Sequence, residues 1–313
     1  MPLPAIAVVI PVYNEEPVLP ELFRRVAAVF DREPACVWSA VLVNDGSRDR
    51  SAARIAEQHA RDPRFKLVDL SRNFGFQSAL AAGLAAAAKA DAVVTMDADL
   101  QDPPELIPEL VAAWRGGAEV VRAVRRTRSE TGLRRMAFDF FHRIFGVLSD
   151  YPIEPNSGTF GLLGNAAIEA FNQLSERNRY FPGLRAWVGF PRADVYYDRQ
   201  ERAAGQPQQT FRRLVRYALD GIFSFSYLPL RLLTYTGLFI ALLGFAVGLF
   251  FIVRRLLGIE IAQTGFTTLV TLLLFLGGVQ LIGIGILGEY LGRVYDEVKR
   301  RPADIIKRKT GFE

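Results

Sequence analysis

At 313 residues the chain has room for one full catalytic domain and a smaller element beside it. Its single cysteine, Cys36, excludes an intrachain disulfide and is compatible with a reducing compartment. The net charge of +5 is modest, and no basic stripe interleaved with aromatics occurs outside two amphipathic stretches, which argues against nucleic acid as a partner.

In chain order, the first half alternates short β-branched runs with helix-like segments, the pattern of βαβ units on a mainly parallel sheet. Strands are expected at 6–12, 39–44, 66–70, 92–96 and 119–124. Helices are expected between them at 18–30, 50–60, 76–89 and 104–114. The pair Pro103-Pro104 suits a helix start, because a missing N–H costs nothing in the first turn. Residues 1–12 are apolar but lack a positively charged leader and run directly into Pro11 and Asn14. They read as a strand rather than a signal peptide.

Two later segments are amphipathic. In 133–148, Met136, Phe140, Phe141, Ile144, Val147 and Leu148 share a face. In 211–223, Phe211, Leu214, Val215, Ala218, Leu219, Ile222 and Phe223 lie opposite Arg212, Arg213 and Arg216. Both are expected to lie in the plane of a membrane surface. Residues 232–253 and 264–288 contain no Asp, Glu, Lys or Arg, and each run exceeds the ~20 residues that cross a hydrocarbon core. They are expected to form a two-helix transmembrane hairpin, which returns the chain to the side it left. From Arg293 onward the tail carries seven Lys/Arg against four Asp/Glu. Basic residues beside a span mark the cytoplasmic face, although Arg254 and Arg255 in the connecting loop weaken that contrast.

The strongest local signal for chemistry is Met96-Asp97-Ala98-Asp99-Leu100-Gln101, which follows the fourth strand. Carboxylates two apart in extended chain project to the same side, and so close together they repel unless a cation lies between them. A hard divalent ion such as Mg²⁺ or Mn²⁺, ligated by Asp97, Asp99 and the neutral oxygen of Gln101, meets that need. The first strand ends in Pro11-Val12-Tyr13-Asn14-Glu15 and the second in Asn44-Asp45-Gly46-Ser47. Tyr13 offers a ring, and Glu15 and Asp45 offer acceptors for a base edge or ribose hydroxyls. An ordinary turn with a helix cap explains Gly46 and Ser47, but not why three strand ends each carry acids.

These segments, with Ser71-Arg72-Asn73-Phe74-Gly75 and Asp97-Ala98-Asp99-Leu100-Gln101-Asp102-Pro103-Pro104-Glu105, occur in an order that resembles family 2 glycosyltransferases of the GT-A fold. More narrowly, the chain is similar to the polyprenyl-phosphate glycosyltransferases. Its tail Leu287-Gly288-Glu289-Tyr290-Leu291-Gly292-Arg293 and its two apolar runs resemble the bactoprenol glucosyltransferase branch. The resemblance implies that Pro11, Tyr13, Glu15, Asp45 and Asp97 hold the nucleotide and that Asp97, Asp99 and Gln101 hold the metal. It further implies that Arg125, Arg128, Arg199 and Arg202 face phosphate, for which the Arg fork is well shaped. Asp97, Asp99 and Arg202 make the expected catalytic set. Two departures stand out. The small-residue turn at 156–160 carries no acid where relatives often do, and 205–210 read Gly205-Gln206-Pro207-Gln208-Gln209-Thr210 where relatives often place Ser/Thr and Lys, which leaves acceptor-phosphate contacts open.

The domains expected on this basis are a GT-A domain at 1–210, an interfacial helix and linker at 211–231, a membrane hairpin at 232–288 and a basic cytoplasmic tail at 289–313. The resemblance implies transfer of a sugar, glucose first, from a UDP-sugar to a polyprenyl (undecaprenyl) phosphate at the cytoplasmic face of a bacterial inner membrane. It also suggests a homotetramer among membrane lipid. A processive polysaccharide synthase is the enzymatic alternative, disfavoured because Leu184-Arg185-Ala186-Trp187 does not match the Gln-x-x-Arg-Trp signature of such enzymes. A membrane scaffold or flippase component with a relict nucleotide site is the non-enzymatic alternative, disfavoured because the metal-ligand candidates are intact.

Overall fold

The structure, a computed structural model, describes residues 2–126, 157–174, 176, 179–198, 228–257 and 265–312. Strands and helices alternate from the start: β1 (Ala5–Val12), α1 (Leu19–Arg32), β2 (Val37–Asn44), α2 (Ser51–Arg61), β3 (Phe65–Leu70), α3 (Phe76–Ala86), β4 (Ala92–Thr95), α4 (Ile107–Arg115) and β5 (Val120–Arg125). A 3-10 turn at Pro104–Leu106 leads into α4. Next come β6 (Ser157–Gly164), α5 (Asn165–Gln173), α6 (Phe181–Trp187) and β7 (Arg192–Tyr197). The two long helices α7 (Leu228–Leu256) and α8 (Phe266–Val298) precede a last strand, β8 (Ile306–Thr310). The chain divides into two compact units, one of Met1–Ala218 with Arg301–Glu313 and one of Leu219–Arg300.

In the first unit the strands form one sheet in the order β7-β5-β6-β4-β1-β2-β3-β8. β1 is central, pairs in parallel with β2 and β4, and is buried along nearly its whole length, as a strand covered on both faces must be. The parallel register aligns strand ends: Val12 faces Asn44, and Asn44 faces Asp69. Loops leaving β1, β2, β3 and β4 therefore emerge along one carboxyl edge, where open α/β sheets place their ligands.

Helix spacing follows burial. α1 buries Leu19, Leu22, Phe23, Val26, Val29 and Phe30, the i, i+3, i+4 stripe of a surface helix. Phe23 meets Phe65 edge-on at 5.4 Å and Phe30 stacks on Trp38 at 5.1 Å, which seals the helix to the sheet. α3 is rich in Ala and Gly for a steric reason. A Cβ on Gly83 would lie 2.3 Å from Val9 Cγ1 and 2.9 Å from Val43 Cγ2, so only a bare backbone lets this helix approach β1 and β2.

The five expected strands and four expected helices are present with small shifts at their ends. The helix expected to reach residue 89 stops at Ala86, because the chain turns at Ala87–Ala90 to enter β4. The sheet is mainly parallel, with β6 and β8 antiparallel to their neighbours. Two expectations need correction. Residues 157–160, read as a small-residue turn, open β6, a strand whose glycines and lack of alternation conceal it and which is held by β4 on one side and β5 on the other. The basic tail likewise does not stay apart from the catalytic domain: Ile306–Thr310 pairs antiparallel with β3. Its Lys307, Arg308 and Lys309 suit that place, since such charges are what an exposed edge strand carries. The interfacial helix expected at 133–148 lies outside the described residues, as do residues 211–227 of the second one.

In the second unit α7 begins at Leu228 and α8 runs on to Val298, past the expected end of the apolar run. Leu233 of α7 packs on Gly283 of α8, where an added Cβ would sit 3.0 Å from Leu233 Cδ1. Large apolar side chains point outward on both helices, among them Phe239, Phe245, Leu281 and Ile284. Among the described residues one helical segment, Phe275–Val298 at 24 residues, is long and apolar enough to cross a membrane, and the apolar stretch Leu232–Val247 is shorter. Two such spans were expected at 232–253 and 264–288.

Candidate functional site

The loop after β1 is laced to the loop after β2. Asn14, with a positive φ of 54°, donates its N–H to Ser47 Oγ at 3.0 Å and accepts at Oδ1 from Arg48 N at 2.8 Å. Glu15 N donates to Ser51 Oγ and Glu16 N to Asp49 Oδ2, each at 3.1 Å. The second loop is tied in turn to the third. Asp45 accepts from Phe74 N at 2.7 Å and from Gly75 N at 3.0 Å. Burial pushes the Asp45 carboxyl above its ordinary value, and those two N–H groups and Arg72 act against that rise. Gly46, at φ 63°, is required here, because a Cβ would lie 2.3 Å from the Arg72 carbonyl carbon.

The structure thus brings Pro11, Tyr13, Glu15 and Asp45 to one edge but gives them different tasks. Pro11 is buried in the strand, Tyr13 and Glu15 are half-buried in the loop, and Asp45 is occupied with holding the Phe74–Gly75 backbone.

The acidic segment follows β4. Asp97 accepts at Oδ1 from Thr159 Oγ1 at 3.0 Å, and Asp99 Oδ1 accepts from Gln101 N at 3.1 Å. Leu100, between Asp99 and Gln101, is buried and holds φ 58°, a left-handed conformation that costs a non-glycine residue roughly 1–2 kcal/mol. Asp102 is completely buried and accepts a short hydrogen bond from the Tyr197 hydroxyl. Arg125 Nε donates to the same hydroxyl at 3.2 Å, and Arg125 Nη2 lies 3.7 Å from Asp102 Oδ1. Burial and the Asp102 charge push the Tyr197 hydroxyl far above its ordinary value, which keeps it a proton donor.

Burial, then the charges of Asp102 and Asp99, push the Asp97 carboxyl up to about 7. That crowding is what a cation would relieve, so the residues fit a hard divalent ion. Among the described residues no group of three or more His, Cys, Asp or Glu is arranged to enclose a metal. An ion held by Asp97, Asp99 and Gln101 would have to complete its shell with water and phosphate oxygens, as Mg²⁺ and Mn²⁺ do at nucleotide sites.

Of the four arginines expected to face phosphate, Arg125 sits at this edge with its guanidinium engaged by Tyr197 and Asp102. Arg128, Arg199 and Arg202 lie outside the described residues. Several residues at the site were not anticipated from the sequence. Thr159 arrives by register: Thr95 pairs with Gly161 across the antiparallel β4–β6 ladder, and two residues further Thr159 meets Asp97. Tyr197 ends β7 opposite Arg125. Arg185 of α6 is buried, donates to the Gly158 carbonyl at 3.1 Å, and is pushed down to about 10 by burial and by Arg122. Arg122 itself makes a two-pronged pair with Asp194 at 2.7 and 2.8 Å. Asp102 was visible within the Leu100-Gln101-Asp102-Pro103-Pro104 run, whereas Thr159 and Tyr197 gave no local signal.

A mainly parallel sheet whose carboxyl edge gathers three laced loops and an acidic pair defines a GT-A-like α/β enzyme. The sequence matches glycosyl transferase family 2 over residues 7–168 and the GtrB C-terminal hairpin over residues 228–294. An uncharacterized glycosyltransferase of Synechocystis sp. is 43% identical over 310 residues, covering 98% of this chain and 96% of the relative. A prophage-derived bactoprenol glucosyl transferase of Shigella flexneri is 42% identical over 304 residues, 97% of each chain. A prophage bactoprenol glucosyl transferase homolog of Escherichia coli is 40% identical, covering 97% of this chain and 98% of the relative. Among solved structures, mannosyl-3-phosphoglycerate synthase from Rubrobacter xylanophilus aligns at a TM-score of 0.48 and 18% identity over 75% of each chain. The chain belongs to glycosyl transferase family 2, with a GtrB C-terminal hairpin, and is a glycosyltransferase.

Proposed function

We propose that this glycosyltransferase moves one sugar, glucose in the first instance, from a UDP-sugar to a polyprenyl phosphate at the cytoplasmic face of a bacterial inner membrane. The observation that carries the reading is the Asp97–Asp99 pair at the same sheet edge as the loops after β1, β2 and β3, in a chain that also holds a membrane-length apolar helix. Similarity to bactoprenol glucosyl transferases supports the lipid acceptor. On this reading α7 and α8 both span the bilayer as a hairpin, with the catalytic unit and both termini on the cytoplasmic side.

The loops anchored by Asn14, Asp45 and Gly46 form the floor on which Tyr13 and Glu15 meet the nucleoside. Asp97, Asp99 and Gln101 would hold Mg²⁺ or Mn²⁺, which supplies charge neutralisation for the departing diphosphate. The lipid phosphate oxygen attacks the anomeric carbon as the bond to the UDP oxygen breaks, with inversion. A phosphate monoester is mostly dianionic at pH 7, so this nucleophile needs no general base. Thr159 Oγ1 donates to Asp97, and a hydroxyl at that position is in keeping with that requirement. Arg125, Arg128, Arg199 and Arg202 would attract the phosphates, with Arg202 favoured for the acceptor.

The test is incubation of purified protein with undecaprenyl phosphate, Mn²⁺ and a panel of nucleotide sugars. A lipid carrying one sugar is expected, and Asp99→Ala should lower its formation by roughly 10²–10³-fold, the scale seen when a principal electrostatic group is removed. A polymeric product, or wild-type turnover in Asp99→Ala, would overturn the assignment.

A further inference from the structure

Residues 97–101 belong to no helix or ladder, and they contain the strained Leu100. A segment without ladder hydrogen bonds keeps a costly conformation only if its ends are fixed from outside. Both ends are fixed here by hydroxyl groups. At the first end Thr159 Oγ1 of β6 donates to Asp97 Oδ1 at 3.0 Å. The Thr159 carbonyl in turn accepts from Thr95 Oγ1 at 2.5 Å, which locks that residue to β4. Just past the second end the Tyr197 hydroxyl of β7 donates to Asp102, a carboxylate with no exposed surface. The Tyr197 ring is itself held edge-on by Phe160 at 5.7 Å, next in sequence to Thr159. β6 and β7 flank β5 on its two sides, so the two hydroxyls come from the half of the sheet remote from the nucleotide loops.

We infer that Thr159 and Tyr197 are positioning residues that clamp the Asp97–Gln101 segment from its two ends and thereby set its affinity for a divalent cation. Neither hydroxyl needs to touch the cation or the sugar. Thr159 takes up one lone pair of Asp97 Oδ1 and leaves Oδ2 to a ligand. Tyr197 holds Asp102 back from the cation, engaged instead with the hydroxyl and with Arg125. Burying a carboxylate is costly unless it is hydrogen-bonded, so Asp102 has reason to stay where Tyr197 reaches it.

This inference rests on the reading of Asp97, Asp99 and Gln101 as cation ligands, and the experiment separates the two. Full-length protein in detergent is titrated with Mn²⁺ in the presence of UDP, and free Mn²⁺ is counted by its EPR signal. If wild type takes up no Mn²⁺, the cation reading itself fails. If it does, Thr159→Val and Tyr197→Phe should each weaken Mn²⁺ binding about tenfold, ~1.4 kcal/mol. Thr159→Ser, which keeps the hydroxyl, should bind as wild type does. The variants should melt close to the wild-type temperature, since a merely structural role would lower that temperature and leave Mn²⁺ affinity alone. Folded Thr159→Val and Tyr197→Phe that bind Mn²⁺ as tightly as wild type would overturn the clamp. Should Tyr197→Phe not fold, the Thr159→Val and Thr159→Ser pair decides the matter at the other end.

Discussion

The Asp45 carboxylate spends its two acceptors on Phe74 N and Gly75 N, so its removal would leave two loop donors without a partner and release the Arg72–Gly75 loop. Loss of a hydrogen-bonded charged acceptor costs about 1.5–3 kcal/mol. Asp45→Ala should therefore raise KM for the nucleotide sugar by tenfold or more while changing kcat little, as initial-rate kinetics would show. Asp49 has the related task between the first two loops, accepting from Ser51 N and Glu16 N. Burial raises its carboxyl, but the hydrogen bonds outweigh burial and hold it below the ordinary 3.8. A depressed carboxyl stabilises the fold above its unfolded pKa, and that contribution disappears as pH falls through the folded value. Wild type should exceed Asp49→Ala by about 1 kcal/mol at neutral pH, discounted for partial exposure. The gap should close once the pH falls below 3.8, in melting curves taken across the acid range.

At the scale of elements, backbone proximity decides more than side-chain chemistry. α3 sits on β1 and β2 only because Gly83 has no Cβ, with Val9 Cγ1 2.3 Å from where one would be. Gly83→Val should destabilise the protein by about 3 kcal/mol, the upper range for overpacking. Melting temperature would report it. β8 poses the opposite problem, because its value lies in backbone pairing at the free edge of β3. Ser71 N donates to the Ile305 carbonyl at 2.9 Å, and Arg308 lies 4.0 Å from Asp69, whose carboxylate also accepts from Asn44 Nδ2 at 2.7 Å. Deleting residues 305–313 would remove these supports beside the Ser71–Gly75 loop. The shortened protein should melt lower and bind UDP several-fold more weakly, by calorimetry.

At the scale of the whole molecule, two compact units, a catalytic sheet and a pair of long apolar-faced helices, share one chain that leaves the sheet and returns to complete its edge. Chelation with EDTA should abolish sugar transfer and Mn²⁺ should restore it, without change in the circular dichroism spectrum. The five β-branched runs and the helices between them were legible in the sequence because their cause is local. A buried parallel strand needs a continuous apolar run, a covering helix needs a 3.6-residue stripe, and both are written in neighbouring residues. The acids at three strand ends were legible for the same reason, since βαβ winding sends every such end to one edge. What tertiary structure alone decided is which hydroxyls and guanidinium groups meet the buried acids. Thr159 reaches Asp97 through antiparallel pairing across 62 residues of chain, and Tyr197 reaches Asp102 across 95. β6 and β8 are strands chiefly because neighbours hold them: glycines and charges interrupt the few strand-favouring residues they contain. The sequence by itself determined the alternating core, the acidic edge and the apolar helices, all set by residues close together in the chain. The clamp around Asp97–Gln101, the task of Asp45 and the return of the last strand arise from contacts between distant segments, which no local pattern encodes.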